Sequence, residues 1–340
     1  MSDRVLFIGG PGTLSASAIT ALQQRGYTVG VFSRSASLSD LSPSVRVYRG
    51  DRSDRRALEF AFQDFHPDIV LDCICYTPQE ALQIQKLASG HVRQFIFVST
   101  VDVYGYPLSR LPFHEDDLWH PQTQSQYAAD KRQCELIFQS SGMALLPLTI
   151  ARPAYSFGSR FILSFTSRDL GIHMLNRLRD GRPILVPGDG TTLFHASSAE
   201  NTGRMIAALV DAPQALGNDY TCGHPDFTTH RGYVDLFARV LGVEPNCVHI
   251  PTEMIVRHPD PEARTCLLHA LTRFNVAFSV SRFQRDFPDF HWDMDLDGYT
   301  RRVVDWNLVH GVLDKPDTEI FDDRVIASWQ NCIRHFGTDL

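Results

Sequence analysis

Tyr127 and Lys131 stand four residues apart in Tyr127-Ala128-Ala129-Asp130-Lys131, a stretch that reads as helix. The spacing puts a phenol and an ammonium on one helix face. A nearby ammonium stabilises phenolate and draws the phenol pKa down from its reference of about 10. Such a tyrosine can exchange a proton with a substrate hydroxyl near neutral pH. A hydroxyl beside it is needed to hold the substrate oxygen. Thr100, at the end of the apolar run Gln94 to Val98, is placed to be that donor. Alone, a Tyr-x-x-x-Lys pair is also the mark of an exposed surface helix. The order of the elements around it decides between the two.

Those elements begin with the first thirty-odd residues. The apolar run Val5 to Ile8 flows into Gly9-Gly10-Pro11-Gly12-Thr13-Leu14-Ser15, a helical pattern from Ala16 to Arg25, and a second apolar run from Tyr27 to Phe32. Strand, glycine turn, helix, strand is the opening of a dinucleotide-binding βαβ unit. A pyrophosphate needs backbone N–H groups at a helix N-terminus, where the dipole favours negative charge. Side chains in the turn would block that approach, which is why glycine is used. Gly9 and Gly12 hold the first two places of a Gly-x-x-Gly-x-x-Gly turn, and Ser15 holds the third. A small residue can still pack the helix against the strand there.

The alternation continues. A Ser-rich loop from Ser33 to Ser44 precedes a strand at Val45 to Tyr48, closed by Gly50-Asp51. Asp54 can cap a helix running to about Phe65. Asp68 to Ile74 is a continuously apolar strand, as expected when helices cover both faces. Gln79 to Ala88 reads as helix, and Leu145 to Ile150 as a strand ended by Arg152-Pro153. The pattern predicts an α/β fold, a Rossmann-type doubly wound parallel sheet. The second half changes character. Phe161 to Leu178 reads as helix, Pro183 to Val186 as a short strand, Ala199 to Val210 as helix and Asn218 to Cys222 as strand. Thr228 or Thr229 can cap a helix through Leu241. From Pro251 on, Phe, Trp, His and Asp are frequent and periodicity is weak. A smaller C-terminal α+β substrate domain is expected. The boundaries expected are 1–160 for the nucleotide-binding domain with contributions from about 184–225, and 161–183 with 226–340 for a substrate-binding lid.

Glycine turn, Asp51 after the third strand, Ser99-Thr100, Val103-Tyr104-Gly105, Tyr127/Lys131, Arg152-Pro153 and Phe194-His195 follow one another in a set order. That series resembles the extended short-chain dehydrogenase/reductase family, in its epimerase/dehydratase branch, over about residues 4 to 240. The resemblance implies a nicotinamide dinucleotide cofactor and roles at matching positions. Gly9, Gly12, Thr13, Leu14 and Ser15 would line the pyrophosphate. Asp51 would contact the adenine, with Arg52 beside it. Ser33 and Arg34 would meet the adenosine ribose. Thr100, Tyr127 and Lys131 would form the catalytic triad, with Lys131 also holding the nicotinamide ribose. Pro153 and Tyr155 would lie by the nicotinamide, and Ser99 would be a further cofactor-binding residue.

Two departures sharpen the expectation. The second strand ends in Ser33-Arg34 rather than in an acid. An acid there would bind the ribose 2′-hydroxyl, whereas arginine accommodates a 2′-phosphate. NADP is therefore favoured and NAD is second choice, unless Arg34 is a solvated loop cation or stacks on the adenine. Sugar 4,6-dehydratases of the family carry Thr-Asp-Glu where this chain has Thr100-Val101-Asp102. Val101 cannot be an acid, so dehydratase chemistry of that kind is not expected. Asp102 is either a base at a neighbouring carbon or a loop-capping carboxylate.

Smaller candidates have bland readings beside them. His195 matches a family histidine that supports the fold or the substrate edge. His114-Glu115-Asp116-Asp117 has the look of a metal cluster but reads as an acidic helix start, and no metal is expected. Arg160 and Arg168 could bind a substrate phosphate or carboxylate, or be solvated cations. Trp119, Phe161, Phe165, Phe194 and Trp292 suit a pocket wall or a core. Cys73 and Cys75, two apart on a strand, read as small buried apolar residues.

Bulk properties bound the rest. The chain has 340 residues, 43% hydrophobic and 21% charged, with net charge −7 and no basic run, which points away from nucleic acid and anionic membranes. No apolar stretch approaches the roughly 20 residues that cross a bilayer, and no signal peptide is expected. Seven cysteines without paired spacing suggest reduced thiols and a cytoplasmic setting. The expected function is an NAD(P)-dependent oxidoreductase acting on a secondary alcohol or ketone of a small-molecule substrate, with a homodimer allowed. The alternatives are a sugar epimerase with regenerated cofactor and a member of the fold that binds nucleotide or RNA without turnover.

Overall fold

A computed structural model describes residues 3–34, 41–166, 171–311 and 320–337. The chain divides into two units, described separately. The first comprises residues 1–156, 197–225 and 278–292; the second comprises 157–196, 226–277 and 293–340. The sequence pattern put 184–225 with the nucleotide-binding half. In the structure 184–196 belong to the second unit, and 278–292 return to the first.

The first unit is built on seven parallel strands: β1 Arg4–Ile8, β2 Thr28–Ser33, β3 Arg46–Arg49, β4 Ile69–Asp72, β5 Gln94–Val98, β6 Leu148–Pro153 and β7 Asp219–Cys222. Their order across the sheet is β7-β6-β5-β4-β1-β2-β3. Register runs from Val5 opposite Val29 on one side of β1 to Val5 opposite Ile69 on the other. Successive side chains of a strand face opposite ways, so both faces of β1 are buried. Val5 and Phe7 join Ala18, Ile19 and Leu22 of helix α1 (Ser15–Gln24). Leu6 and Ile8 join Leu58, Ala61 and Phe65 of α2 (Arg55–Phe65), Ala81 and Ile84 of α3 (Pro78–Ala88) and Phe138 of α4 (Gln126–Ser140).

The local signals explain the element ends. Asp54 caps α2, accepting from Arg56 and Ala57 N–H groups. Thr77 and Glu80 form a capping box at α3. Helix α5 (Ala199–Ala208) packs on α1 at Gly203, where a Cβ would lie 2.2 Å from the Leu14 carbonyl oxygen. The close helix approach in this βαβ unit therefore depends on Gly203.

The second unit pairs Ile184–Pro187 in parallel with Cys247–Ile250, and Leu193–Phe194 antiparallel with Thr228–Thr229. Thr229 caps the helix His230–Leu241. The helix expected over 161–178 is shorter. It runs Gly171–Arg179, 161–166 carry no regular element, and 167–170, including Arg168, lie outside the described residues. The weakly periodic tail holds two long helices, Leu296–Val309 and Phe321–Gly337. Among the described residues no helix is long and apolar enough to cross a membrane.

Candidate active site

In the sheet order the chain reverses direction of winding at β1, whose neighbours β2 and β4 are reached by opposite crossovers. Open α/β sheets bind ligands beyond the strand C-termini at such a switch point. Gly9 leaves β1 with φ +93°, and a Cβ there would lie 2.6 Å from the Ile74 side chain just past β4. Only glycine fits. Ser15 opens α1 and is buried; its hydroxyl oxygen accepts the Gly12 N–H at 2.8 Å. The third glycine place is thus used to stitch the turn rather than to let the helix approach. Leu14 is the N-cap residue and Thr13 is exposed beside it.

Ser33 ends β2 and Gly50 follows β3, and the Gly50 N–H donates to the Ser33 carbonyl at 3.2 Å. This brings Arg34 and Asp51 together: their side chains pair at 3.2 Å, with Arg34 77% exposed. Asp51 also accepts from the Ser53 N–H and hydroxyl, which hold its carboxyl below the usual carboxylate range. Arg52 turns inward. Its guanidinium makes a bidentate pair with the fully buried Asp72 at 3.0 and 3.2 Å and approaches Glu80 at 3.4 Å. The side chain at 52, a position expected among the cofactor-binding residues, is thus engaged by Asp72 and Glu80.

Helix α4 carries Tyr127 and Lys131, and several contacts fix it. Ser125 caps it, accepting from Ala128 N–H at 3.2 Å. Glu135 takes a bidentate pair from Arg152 of β6 at 2.9 and 2.8 Å, both side chains buried. Arg132 donates to the Val103 carbonyl at 2.8 Å, and Gln85 of α3 donates to the Ile137 carbonyl at 2.6 Å. Phe138 packs on Phe95 and Phe97 of β5. Lys131 is 1% exposed, and its ammonium donates to the Val98 carbonyl at 2.7 Å. It lies 4.7 Å from the Phe97 ring centre and 5.0 Å from that of Tyr76. Burial pulls its pKa down, partly countered by surrounding acidic groups, first Cys75 and Asp72. Half-buried Tyr127 has its ring centre 6.3 Å from that of Tyr76.

The Lys131 anchor is two residues before Thr100. The Thr100 hydroxyl oxygen accepts the Asp102 N–H at 3.2 Å, which leaves its hydrogen to be donated elsewhere. Ser99 beside it is buried, and its hydroxyl has no hydrogen-bond partner. Asp102 is also buried. Its Oδ1 accepts from Tyr106 at 2.8 Å and Tyr155 at 3.3 Å, and the two phenol oxygens are 3.0 Å apart. Burial, then the Asp102 charge, pushes both phenols well up. Asp102 is thus a carboxylate already engaged by two donors. Pro153 closes β6.

The other candidates are structural. Glu115 accepts the Thr221 N–H at 2.8 Å, Asp116 pairs with Arg282, and Asp117 pairs with Arg110 at 3.7 Å; no metal-binding group occurs among the described residues. His195 lies fully buried in the second unit, near Phe227. Arg160 lies over the Trp306 ring. Trp119 packs on Tyr104 and Arg152, Phe165 and Phe194 enclose His230, and Trp292 donates to the Gly223 carbonyl. Tyr76 and Asp72 escaped the sequence reading. The one available signal was an acid ending a strand that is otherwise wholly apolar.

A tight glycine turn, a helix N-terminus and an orphaned Ser99 hydroxyl at the β5 edge fit a dinucleotide laid across the strand ends. The class is a Rossmann-fold oxidoreductase or epimerase. Residues 5–223 match the model of the NAD dependent epimerase/dehydratase family, and the chain belongs to that family. It is 26% identical over 295 residues to a 2'-dehydrokanamycin reductase from Streptomyces kanamyceticus, covering 84% of this chain and 80% of that protein. Solved structures share the fold. One is UDP-glucose 4-epimerase of Thermotoga maritima with UDP-glucose (TM-score 0.73, 17% identity, 90% of this chain and 99% of that one). Another is dTDP-glucose 4,6-dehydratase of Bacillus anthracis with NAD (TM-score 0.73, 16% identity, 92% and 98%).

Proposed function

We propose that this protein is an NADP(H)-dependent reductase of a ketone on a small, polar, ring-shaped substrate, run in reverse as a secondary-alcohol dehydrogenase. The observation that carries the reading is Lys131, a buried ammonium fixed on the Val98 carbonyl one helical turn from Tyr127. A lone surface pair would have no reason to bury its lysine, because burying an ammonium costs free energy. The bound nicotinamide would supply the hydride. Tyr127 gives its phenolic proton to the substrate oxygen as the alcohol forms. Lys131 lowers the cost of the resulting phenolate. Thr100 donates its hydrogen to the same oxygen and holds it in place. Gly9, Gly12 to Ser15 and Ser99 would hold the dinucleotide, and Arg34 its 2′-phosphate.

Reduction is favoured over epimerisation because Asp102, the candidate second base, already accepts two phenols. The relative's name as a reductase of 2'-dehydrokanamycin supports the same choice and suggests an amino-sugar ketone. RNA binding is disfavoured by the net charge of −7. A cytoplasmic setting suits the free cysteines, and a homodimer could use the exposed Leu82 of α3 and Leu136 of α4. The test is NADPH oxidation at 340 nm with ketones of amino sugars. Wild-type protein turns over. Tyr127→Phe loses roughly 10²–10⁴-fold in rate, the usual worth of a positioned acid, while still binding NADPH. Equal turnover in Tyr127→Phe would refute the assignment.

A further inference from the structure

Cys75 follows β4 and Cys134 sits on α4, one turn past Lys131. Their sulfur atoms lie 3.9 Å apart, and both residues are 0% exposed. The Cys75 S–H donates toward the Cys134 sulfur. We propose that Cys75 and Cys134 form a redox modification site, a dithiol that a peroxide converts to a disulfide bridging the β4–α3 loop to the catalytic helix.

Geometry selects this pair from the described cysteines. No other two have their sulfurs within hydrogen-bonding distance among the described contacts. A disulfide needs an S–S distance of about 2.05 Å, so closure brings the sulfurs together by about 1.9 Å. Chemistry selects the attacking sulfur. Donation from Cys75 and the neighbouring Lys131 ammonium draw the Cys134 thiol down, whereas its own donation toward Cys134, burial and the Asp72 charge hold the Cys75 thiol up. The Cys134 thiolate attacks one peroxide oxygen, and the O–O bond breaks. The sulfur becomes a sulfenic acid, and the departing hydroxide takes a proton to leave as water. Cys75, losing its proton, attacks the Cys134 sulfur and expels the second oxygen as water. Two thiols are oxidised, one peroxide is reduced and two waters form. Burial of both sulfurs favours a water-sized oxidant over a bulky disulfide.

The consequence rests on the functional reading above. Lys131 and Cys134 are three apart on one helix face, so pulling Cys134 toward the loop displaces Lys131 from the Val98 carbonyl. Lys131 is also the residue expected to hold the nicotinamide ribose, so oxidation weakens cofactor binding. The test treats the full-length protein with hydrogen peroxide, maps peptides by mass spectrometry and titrates NADPH by fluorescence. The expected result is a Cys75–Cys134 linked peptide lighter by two hydrogens. NADPH affinity falls at least tenfold and is restored by dithiothreitol. Cys75→Ala and Cys134→Ala bind NADPH as wild type does and keep that affinity in peroxide. Absence of the linked peptide, or a linked protein with unchanged affinity, overturns the proposal. If untreated protein binds no NADPH, the functional reading fails and the coupling to Lys131 falls with it, whereas the peptide map still reports on the bridge.

Discussion

A lysine with 1% exposure, held by a main-chain carbonyl, is the least ordinary residue in the first unit. Lysine normally keeps its ammonium in water. Here the ammonium meets one carbonyl and two ring faces, and in the proposed reading the residue that gains is Tyr127. The sequence reading reached this pair by spacing and order. It could not reach Tyr76, because a tyrosine after a strand carries no distinctive pattern. In the proposed reading, cofactor choice turns on Arg34. It is exposed and shares its charge with Asp51, so a 2′-phosphate would compete with that carboxylate. A charge-assisted contact of about 1.5–3 kcal/mol implies that Arg34→Ala loses roughly ten- to hundredfold in NADPH affinity and little in NADH affinity. Titrating both cofactors against both proteins checks this, and an unchanged preference in the variant would remove Arg34 from the site.

At the scale of elements, α4 is the part that must not move. Its anchors come from β5 through Lys131, from β6 through the Glu135–Arg152 pair, and from α3 through Gln85. The guanidinium of Arg152 also lies against the rings of Tyr104 and Trp119. Removing Glu135 strips the buried Arg152 of its bidentate partner and leaves that charge to Asp219 alone. Glu135→Ala is therefore expected to cost about 3 kcal/mol of stability, read as a lowered urea midpoint. Replacing Glu135 and Arg152 together by methionine should recover most of that loss, because Asp219 retains Arg282. A double variant no more stable than Glu135→Ala would show the pair to be more than a satisfied charge. None of these anchors was legible in the sequence. They join residues far apart in the chain, whereas helix caps such as Asp54 and Thr229 act over three residues and were found from it.

For the whole molecule, the parallel sheet was the most legible part, because β1, β4 and β5 are apolar except for one terminal residue each (Arg4, Asp72 and Gln94) and the turns between them carry glycine and caps. The second unit was read poorly. Phe161 to Leu178 shows a helical period, yet its first residues are used in irregular backbone. The Phe-, Trp- and His-rich tail hides the helices Leu296–Val309 and Phe321–Gly337. That unit carries its own acid sensitivity. His230 lies fully buried between Phe165 and Phe194, and burial pulls its imidazole down to about 4. The unfolded chain takes up a proton near pH 6.5, the folded one only near 4. Stability is thus complete above the higher value and declines as pH falls between the two, by about 3 kcal/mol in all. His230→Leu should flatten that acid limb in thermal melts from pH 7 to 4; an unchanged slope would assign it to other groups. The central claim is hydride transfer to a ketone with Tyr127 as acid, and deuterium tests it most directly. With NADPH deuterated at the transferring position and an amino-sugar ketone, the account predicts one deuterium in each alcohol formed and one NADPH consumed per alcohol. It also predicts that Tyr127→Phe binds the cofactor and forms product roughly 10²–10⁴-fold more slowly. Product formed without net NADPH consumption, or a Tyr127→Phe protein that turns over as wild type does, would contradict it.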